Sequence, residues 1–138
     1  MSLDYLWTGF AVALTPSNLL LSLLGCFLGT LIGALPAIGP INGIALILPI
    51  AYTMKLPPES CMILLAAIYY GAEYGGRITS ILINVPGDAG AVMTALDGYP
   101  LAKQGRGAEA LTMSALTSFV GGMLAVVGLT FFAPLLGS

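Results

Sequence analysis

The stretch "YYGAEYGGRITSILINVPGD", Tyr69 to Asp88, sets Glu73, Arg77, Ser80 and Asn84 inside one of the most apolar segments of the chain. At about 100° per residue, Tyr70, Glu73, Arg77, Ser80 and Asn84 fall in one narrow sector of a helix, because steps of three and four alternate. Gly71, Gly75, Ile78 and Leu82 lie on the other side and form a face for close packing. A charged side chain at mid-bilayer costs roughly 2.5 to 3.5 kcal/mol to insert, so such groups face a cavity or one another. Glu73 and Arg77 stand at i and i+4 in the favourable order and can pair. The chemistry on offer is anion recognition, with Arg77 attracting a carboxylate and Ser80 and Asn84 lining its path. The plainer alternative is a self-neutralising pair that staples two helices. Gly75-Gly76 favours the first reading, because a purely structural span would gain about 1 kcal/mol from alanine at each site.

Two further stretches, "LPAIGPING" and "NVPGDAGAVMT", share one design. An apolar helix ends at a proline, a glycine-rich turn follows, and a new short helix begins. Discontinuous helices place free backbone N–H groups and a positive helix end at mid-membrane, where a carboxylate can bind. Pro36, Gly39, Pro40 and Asn42 in the first stretch, and Pro86, Gly87 and Asp88 in the second, are therefore candidate substrate-binding positions. Unwound carbonyls can hold a coupling ion, sodium for example, with Asn42, Thr79 or Asn84 supplying side-chain oxygens. The alternative is a pair of ordinary loops outside the bilayer.

Such residues need a membrane scaffold, and the composition supplies one. The 138 residues are 58% hydrophobic and 7% charged, with a mean hydropathy of +1.00, whereas soluble domains carry roughly 25% charge. Asp4 to Lys55 encloses no charged side chain, and none follows Glu109. Each run exceeds the roughly 20 residues that cross a bilayer as helix. Strand-like alternation is absent, so the expected fold is an all-α integral membrane protein, three to four transmembrane helices with broken or re-entrant segments. The net charge of −2, without a basic cluster, argues against a nucleic-acid partner. With no histidine, two lone thiols in apolar segments (Cys26 and Cys61) and no Ser-Lys or paired-Asp arrangement, no catalytic residue, metal site or organic cofactor is expected.

Along the chain, residues 1–16 read as an interfacial helix anchored by Tyr5 and Trp7; Asp4 and the lack of Lys or Arg argue against a secretory leader. Residues 17–35 form a span in which Gly25, Gly29 and Gly33 recur at every fourth position, a smooth face for another helix. Residues 36–54 form a broken or re-entrant segment, interrupted again at Pro49. Residues 61–85 form the span with the polar stripe, and 86–107 an irregular or hairpin segment containing one short helix. Its "TALDGYPLAKQGRG" is either a solvated loop or an element that docks a partner or gates entry. Residues 110–133 form the last span, with Ser114, Ser118 and Gly122 as a small-residue face and Pro134 closing it. The expectation is one transmembrane domain.

Taken together, "GTLIGALPAIGP", "IYYGAEYGGRITSILINVPGD", "TALDGYPLAKQGRGAEAL" and "SFVGG" resemble the large membrane subunit of tripartite tricarboxylate transporters, the TctA family. The likeness covers nearly the whole chain in order. By position, the family's proline-glycine motif falls on Pro36, Gly39 and Pro40, "YYGAxYGG" on Tyr69 to Gly76, and "NxPG" on Asn84, Pro86 and Gly87. The resemblance implies ion-coupled secondary uptake of a carboxylate, driven by sodium or protons, across the bacterial inner membrane. It implies a small membrane subunit and a periplasmic solute-binding protein as partners. It maps to the N-terminal part of a subunit several times longer, so this chain is expected to be a fragment of a larger permease. The contrasting expectation is a non-transporting scaffold subunit or a truncated remnant. Ala37 departs from the family's usual glycine, and alanine resists positive φ.

Overall fold

The computed structural model describes residues 2–36 and 38–136, with side chains over 4–36 and 38–132. Ala37 lies outside the described residues, so its turn geometry is not addressed. Six helices and no strand occur among the described residues: α1 (Ser2–Ala13), α2 (Pro16–Gly33), α3 (Gly39–Thr53), α4 (Pro58–Ile83), α5 (Ala91–Lys103) and α6 (Gly107–Leu136). α2 and the Gly107–Phe132 part of α6 are long and apolar enough to cross a membrane.

Proline sets several boundaries. Thr15 is extended ahead of Pro16, and Pro57 ahead of Pro58, so each proline opens its helix where no N–H is needed. Inside α3, Pro49 does not break the helix, contrary to the interruption expected there. Only one donor is lost at a proline, and a helix packed against its neighbours tolerates that loss in lipid. Nor does Pro134 close the last helix, whose backbone continues to Leu136.

The glycines decide how the helices lie. A Cβ at Gly29 would fall inside the backbone of Ile68, and one at Gly33 inside that of Ala72; Gly71 and Gly75 meet the backbones at Cys26 and Thr30 in return. Because Gly25 faces Leu64 and Ala67, Gly29 faces Ile68 and Gly33 faces Ala72, α2 and α4 run parallel. A buried hydrogen bond ties their beginnings, with Ser60 donating to Asn18 Oδ1 at 2.7 Å. Asn18 in turn donates to the Val12 carbonyl at 2.8 Å and so fastens α1 to the same end.

Two parallel neighbours in sequence require a return leg, and α3 is that leg. Gly43, near its start, faces Ile32 and Ala72, while Ala51, near its end, packs with Leu64 and Ile68 and with Leu21 on α2. The Gly75-Gly76 pair therefore has a different cause from the helix weakness inferred from sequence. α4 is continuous through it, and alanine at Gly75 would collide with Thr30 and Ala34.

α4 ends in a left-handed cap: Asn84 has φ 58° and ψ 31°, and the Val85 N–H reaches back to the Thr79 carbonyl at 3.3 Å. Asparagine tolerates this conformation and β-branched residues do not. Asn84→Val is expected to destabilise the full-length protein by about 1–2 kcal/mol, read as a lower thermal midpoint in detergent, whereas Asn84→Gly is expected to leave it unchanged. A lower midpoint in Asn84→Gly as well would show a side-chain role beyond the cap.

After the cap the chain doubles back. A Cβ at Gly87 would lie 2.6 Å from Gly76 Cα and 3.0 Å from the Gly33 carbonyl oxygen. From that depth α5 runs beside the last turns of α4, with Gly98 against Ile81, and Gly107 returns to the level of Leu82. α6 then descends antiparallel to α4, its Ser118 meeting Arg77.

Candidate functional site

Arg77 sits where α4, α5 and α6 converge, between two open grooves. The first, about 500 Å³, is lined by Tyr69, Tyr70, Glu73, Tyr74 and Arg77 of α4 and by Thr117, Ser118 and Gly122 of α6 among others. The second, about 430 Å³, is lined by Arg77 and Ile81, by Thr94 and Asp97 of α5, and by Ser114 and Thr117 of α6 among others. Arg77 and Thr117 belong to both.

The electrostatics at this waist leave Arg77 incompletely satisfied. Glu73 Oε2 stands 4.0 Å from Arg77 Nη2, the outer limit of an ion pair, with the two side chains 27% and 29% exposed. Arg77 Nη1 donates to Ser118 Oγ, which spends its own proton on the Ser114 carbonyl at 2.7 Å. A guanidinium carries five N–H donors in a planar fork, so most of them remain for an incoming group. A carboxylate is the natural ligand for that fork, because two parallel N–H donors match its two oxygens.

The rest of the stripe divides. Tyr70, Glu73 and Arg77 face the first groove together. Ser80 is fully buried and donates to the Gly76 carbonyl at 2.8 Å, and Thr79 donates to the same oxygen at 3.1 Å. Asn84 is exposed at the helix cap, about two turns beyond Arg77. Asn42 is exposed on α3 and donates to the Ile38 carbonyl of its own helix. These four are thus dispersed, and neither groove is lined by them.

The two broken stretches meet each other. Gly39, with φ +67°, opens α3 beside Gly87 and Asp88, since a Cβ there would lie 3.6 Å from Asp88 Cβ and from the Gly87 carbonyl oxygen. Pro40 is buried in the first turn of α3, while Pro36 is exposed before it. Asp88 Oδ1 accepts the Ala91 N–H at 2.9 Å and so caps the start of α5. Sequence spacing shows each break but not their contact, because residues 39 and 88 are brought together only by the parallel packing of α2 and α4.

Among the remaining candidates, Gly25, Gly29, Gly33, Gly71 and Gly75 form the α2–α4 interface. Ser118 bonds Arg77, whereas a Cβ at Gly122 would meet nothing within 4 Å. Two features escaped the sequence reading. Thr117 shares both grooves with Arg77, and its signal was the threonine one step from the Ser114–Ser118 face. The Asn18–Ser60 bond joins residues 42 apart and had no local signal. At the loop between α5 and α6, Arg106 pairs with Glu109 at 2.6 Å, and Lys103 stands 5.1 Å over the Tyr99 ring.

A protein of Agrobacterium vitis, described as an uncharacterized 52.8 kDa protein in the TAR-I ttuC' 3' region, is 48% identical over 130 residues, which are 94% of this chain. The chain spans 26% of that relative's length. No solved structure matches the chain. The family model described as "Tripartite tricarboxylate transporter TctA family" matches residues 19–138, nearly the whole chain, and the chain therefore belongs to the TctA family of tripartite tricarboxylate transporters.

Proposed function

We propose that this chain is the N-terminal section of a permease subunit that takes up tricarboxylates or related small carboxylates by ion-coupled secondary transport. The observation that carries the reading is Arg77, a partly unsatisfied cation at the waist between two grooves, in a chain of a transporter family. Family membership likewise sets an enzymatic role aside. The partners are a small membrane subunit and a periplasmic solute-binding protein that delivers the substrate. The site of action is the bacterial inner membrane.

In this reading the chain crosses the bilayer four times, through α2, α3, α4 and α6. The support is directional: α2 and α4 are parallel, and α6 is antiparallel to α4. α3, with 15 residues, rises only about 22 Å. Its unwound flanks supply the rest of a hydrocarbon core of about 30 Å. The Asn84–Gly90 turn and α5 enter and leave from one side, and α1 lies at the interface through Tyr5 and Trp7, which are exposed.

Labelled tricarboxylate uptake by cells expressing the complete three-component system, with and without the full-length large subunit, tests the function. Uptake that requires this subunit supports the reading, and equal uptake without it refutes the reading. The rival reading, in which Glu73 and Arg77 form only a self-neutralising structural pair, draws on their approach to 4.0 Å. The exchanged pair Glu73→Arg with Arg77→Glu separates the two, since a structural pair survives the exchange and an anion site does not.

A further inference from the structure

The Oδ2 oxygen of Asp88 is buried and has no hydrogen-bond partner among the described residues. Its companion Oδ1 is occupied by the Ala91 N–H, so the carboxylate is oriented and cannot simply turn to satisfy the second oxygen. A buried anionic oxygen without a partner is costly, more so than a neutral acceptor, unless a positive charge or a proton resides on it.

The surroundings favour something small. A Cβ at Gly76 would approach Oδ2 to 3.2 Å, so the α4 side of the oxygen is kept open only by glycine. Gly39 and Gly87 lie beside the same carboxylate, and the Gly33 and Gly87 carbonyl oxygens border the same glycine turn. Carboxylate and carbonyl oxygens are the hard donors that alkali and proton chemistry uses. No group of three or more His, Cys, Asp or Glu side chains that would hold a transition metal occurs among the described residues.

We infer that Asp88 Oδ2, where the α3 start and the Pro86–Asp88 turn meet against Gly76, is the binding site of a monovalent cation, sodium or a proton. The inference rests on the permease reading for its consequence: filling the site holds both broken segments against α4, so cation binding is coupled to their position. It also relocates ion binding away from Asn42, Thr79 and Asn84, of which Asn42 and Thr79 bond backbone carbonyls of their own helices. The packed elements bring few competing groups. α2 carries no charged side chain and α3 only the Tyr52 phenol; α4 carries Glu59, Glu73, Arg77 and the phenols of Tyr69, Tyr70 and Tyr74, and α5 carries Asp97, Tyr99 and Lys103.

Purified full-length subunit tests this in two arms. In the first, sodium replaces choline at fixed pH while the thermal midpoint is followed; in the second, pH is lowered in choline alone. A cation bound only by the folded state raises the midpoint with its concentration, by about 2–3 °C at a hundredfold excess over its dissociation constant for the full-length subunit. A rise in the sodium arm identifies sodium, and a rise only in the pH arm identifies a proton. Asp88→Asn keeps the Oδ1 acceptor and removes the charge, so it is expected to abolish the rise. Gly76→Ala, which crowds Oδ2 without changing charge, is expected to shift the half-effective concentration upward by about tenfold. In proteoliposomes, Asp88→Asn is expected to lose cation-driven accumulation by more than tenfold. Flat midpoints in both arms, or Asp88→Asn with the wild-type cation dependence, overturn the inference. Absence of carboxylate exchange in the wild type overturns the permease reading instead, and leaves the stability arms to judge the cation site.

Discussion

Arg77→Ala in the full-length permease is expected to reduce carboxylate uptake by about 10- to 150-fold at limiting substrate, the loss of one charged hydrogen-bonding partner worth about 1.5–3 kcal/mol. The expectation follows from the incomplete satisfaction of the guanidinium. Glu73 is at the edge of pairing distance and Ser118 takes one donor, so removing Arg77 takes away more than a structural contact. Arg77→Lys is expected to recover part of the loss, because a point charge attracts a carboxylate without the bidentate geometry. The thermal midpoint separates binding from folding. Uptake lost at unchanged midpoint supports the anion site, and uptake retained in Arg77→Ala removes it.

The second large effect concerns assembly. Gly33→Ala and Gly29→Ala are expected to destabilise the full-length protein by at least about 1–3 kcal/mol each, the usual cost of overpacking, because the added carbon falls within backbone rather than beside a movable side chain. Gly25→Ala is expected to cost less. Its nearest atoms, the Ala67 Cβ and the Leu64 carbonyl oxygen, lie 3.0 Å away, so a small shift relieves the contact. The yield of monodisperse protein and its thermal midpoint give the ranking. A ranking with Gly25 as the most sensitive would contradict the closer backbone approach at Gly29 and Gly33.

The contrast between these residues shows what the sequence carried. The four-residue recurrence of Gly25, Gly29 and Gly33 announced a packing face, and the steps of three and four announced Glu73 and Arg77 on one side of α4. Both signals are local, fixed by helical period. The partner of each face was not legible, since the parallel course of α2 and α4 depends on α3 running the full way back, and a 15-residue helix with an internal proline gives no sign of that. Gly75-Gly76 shows the resulting error. Read locally, it weakens a helix; in the fold, it makes room for α2 and for the Pro86–Asp88 turn.

Ser80 and Asn84 show the limit from the other side. Both belong to the stripe by angle, yet Ser80 is covered and Asn84 serves as a left-handed cap. The chain's fold back at Gly87 ends the stripe's continuity, and no periodicity of α4 encodes it. Asp88 was visible as part of a turn, but its orphaned oxygen arises only from the meeting of segments that are distant in sequence.

The central claim is that Arg77 lies on the path of an anionic substrate. The most direct test is a full-length subunit without native cysteines, carrying Thr117→Cys at the position that shares both grooves with Arg77. A small anionic, membrane-impermeant thiol reagent is applied with and without a tricarboxylate. The account predicts labelling that substrate slows at least several-fold, with the protection lost in Arg77→Ala. A thiol that the reagent does not reach, or that substrate does not protect, would contradict it.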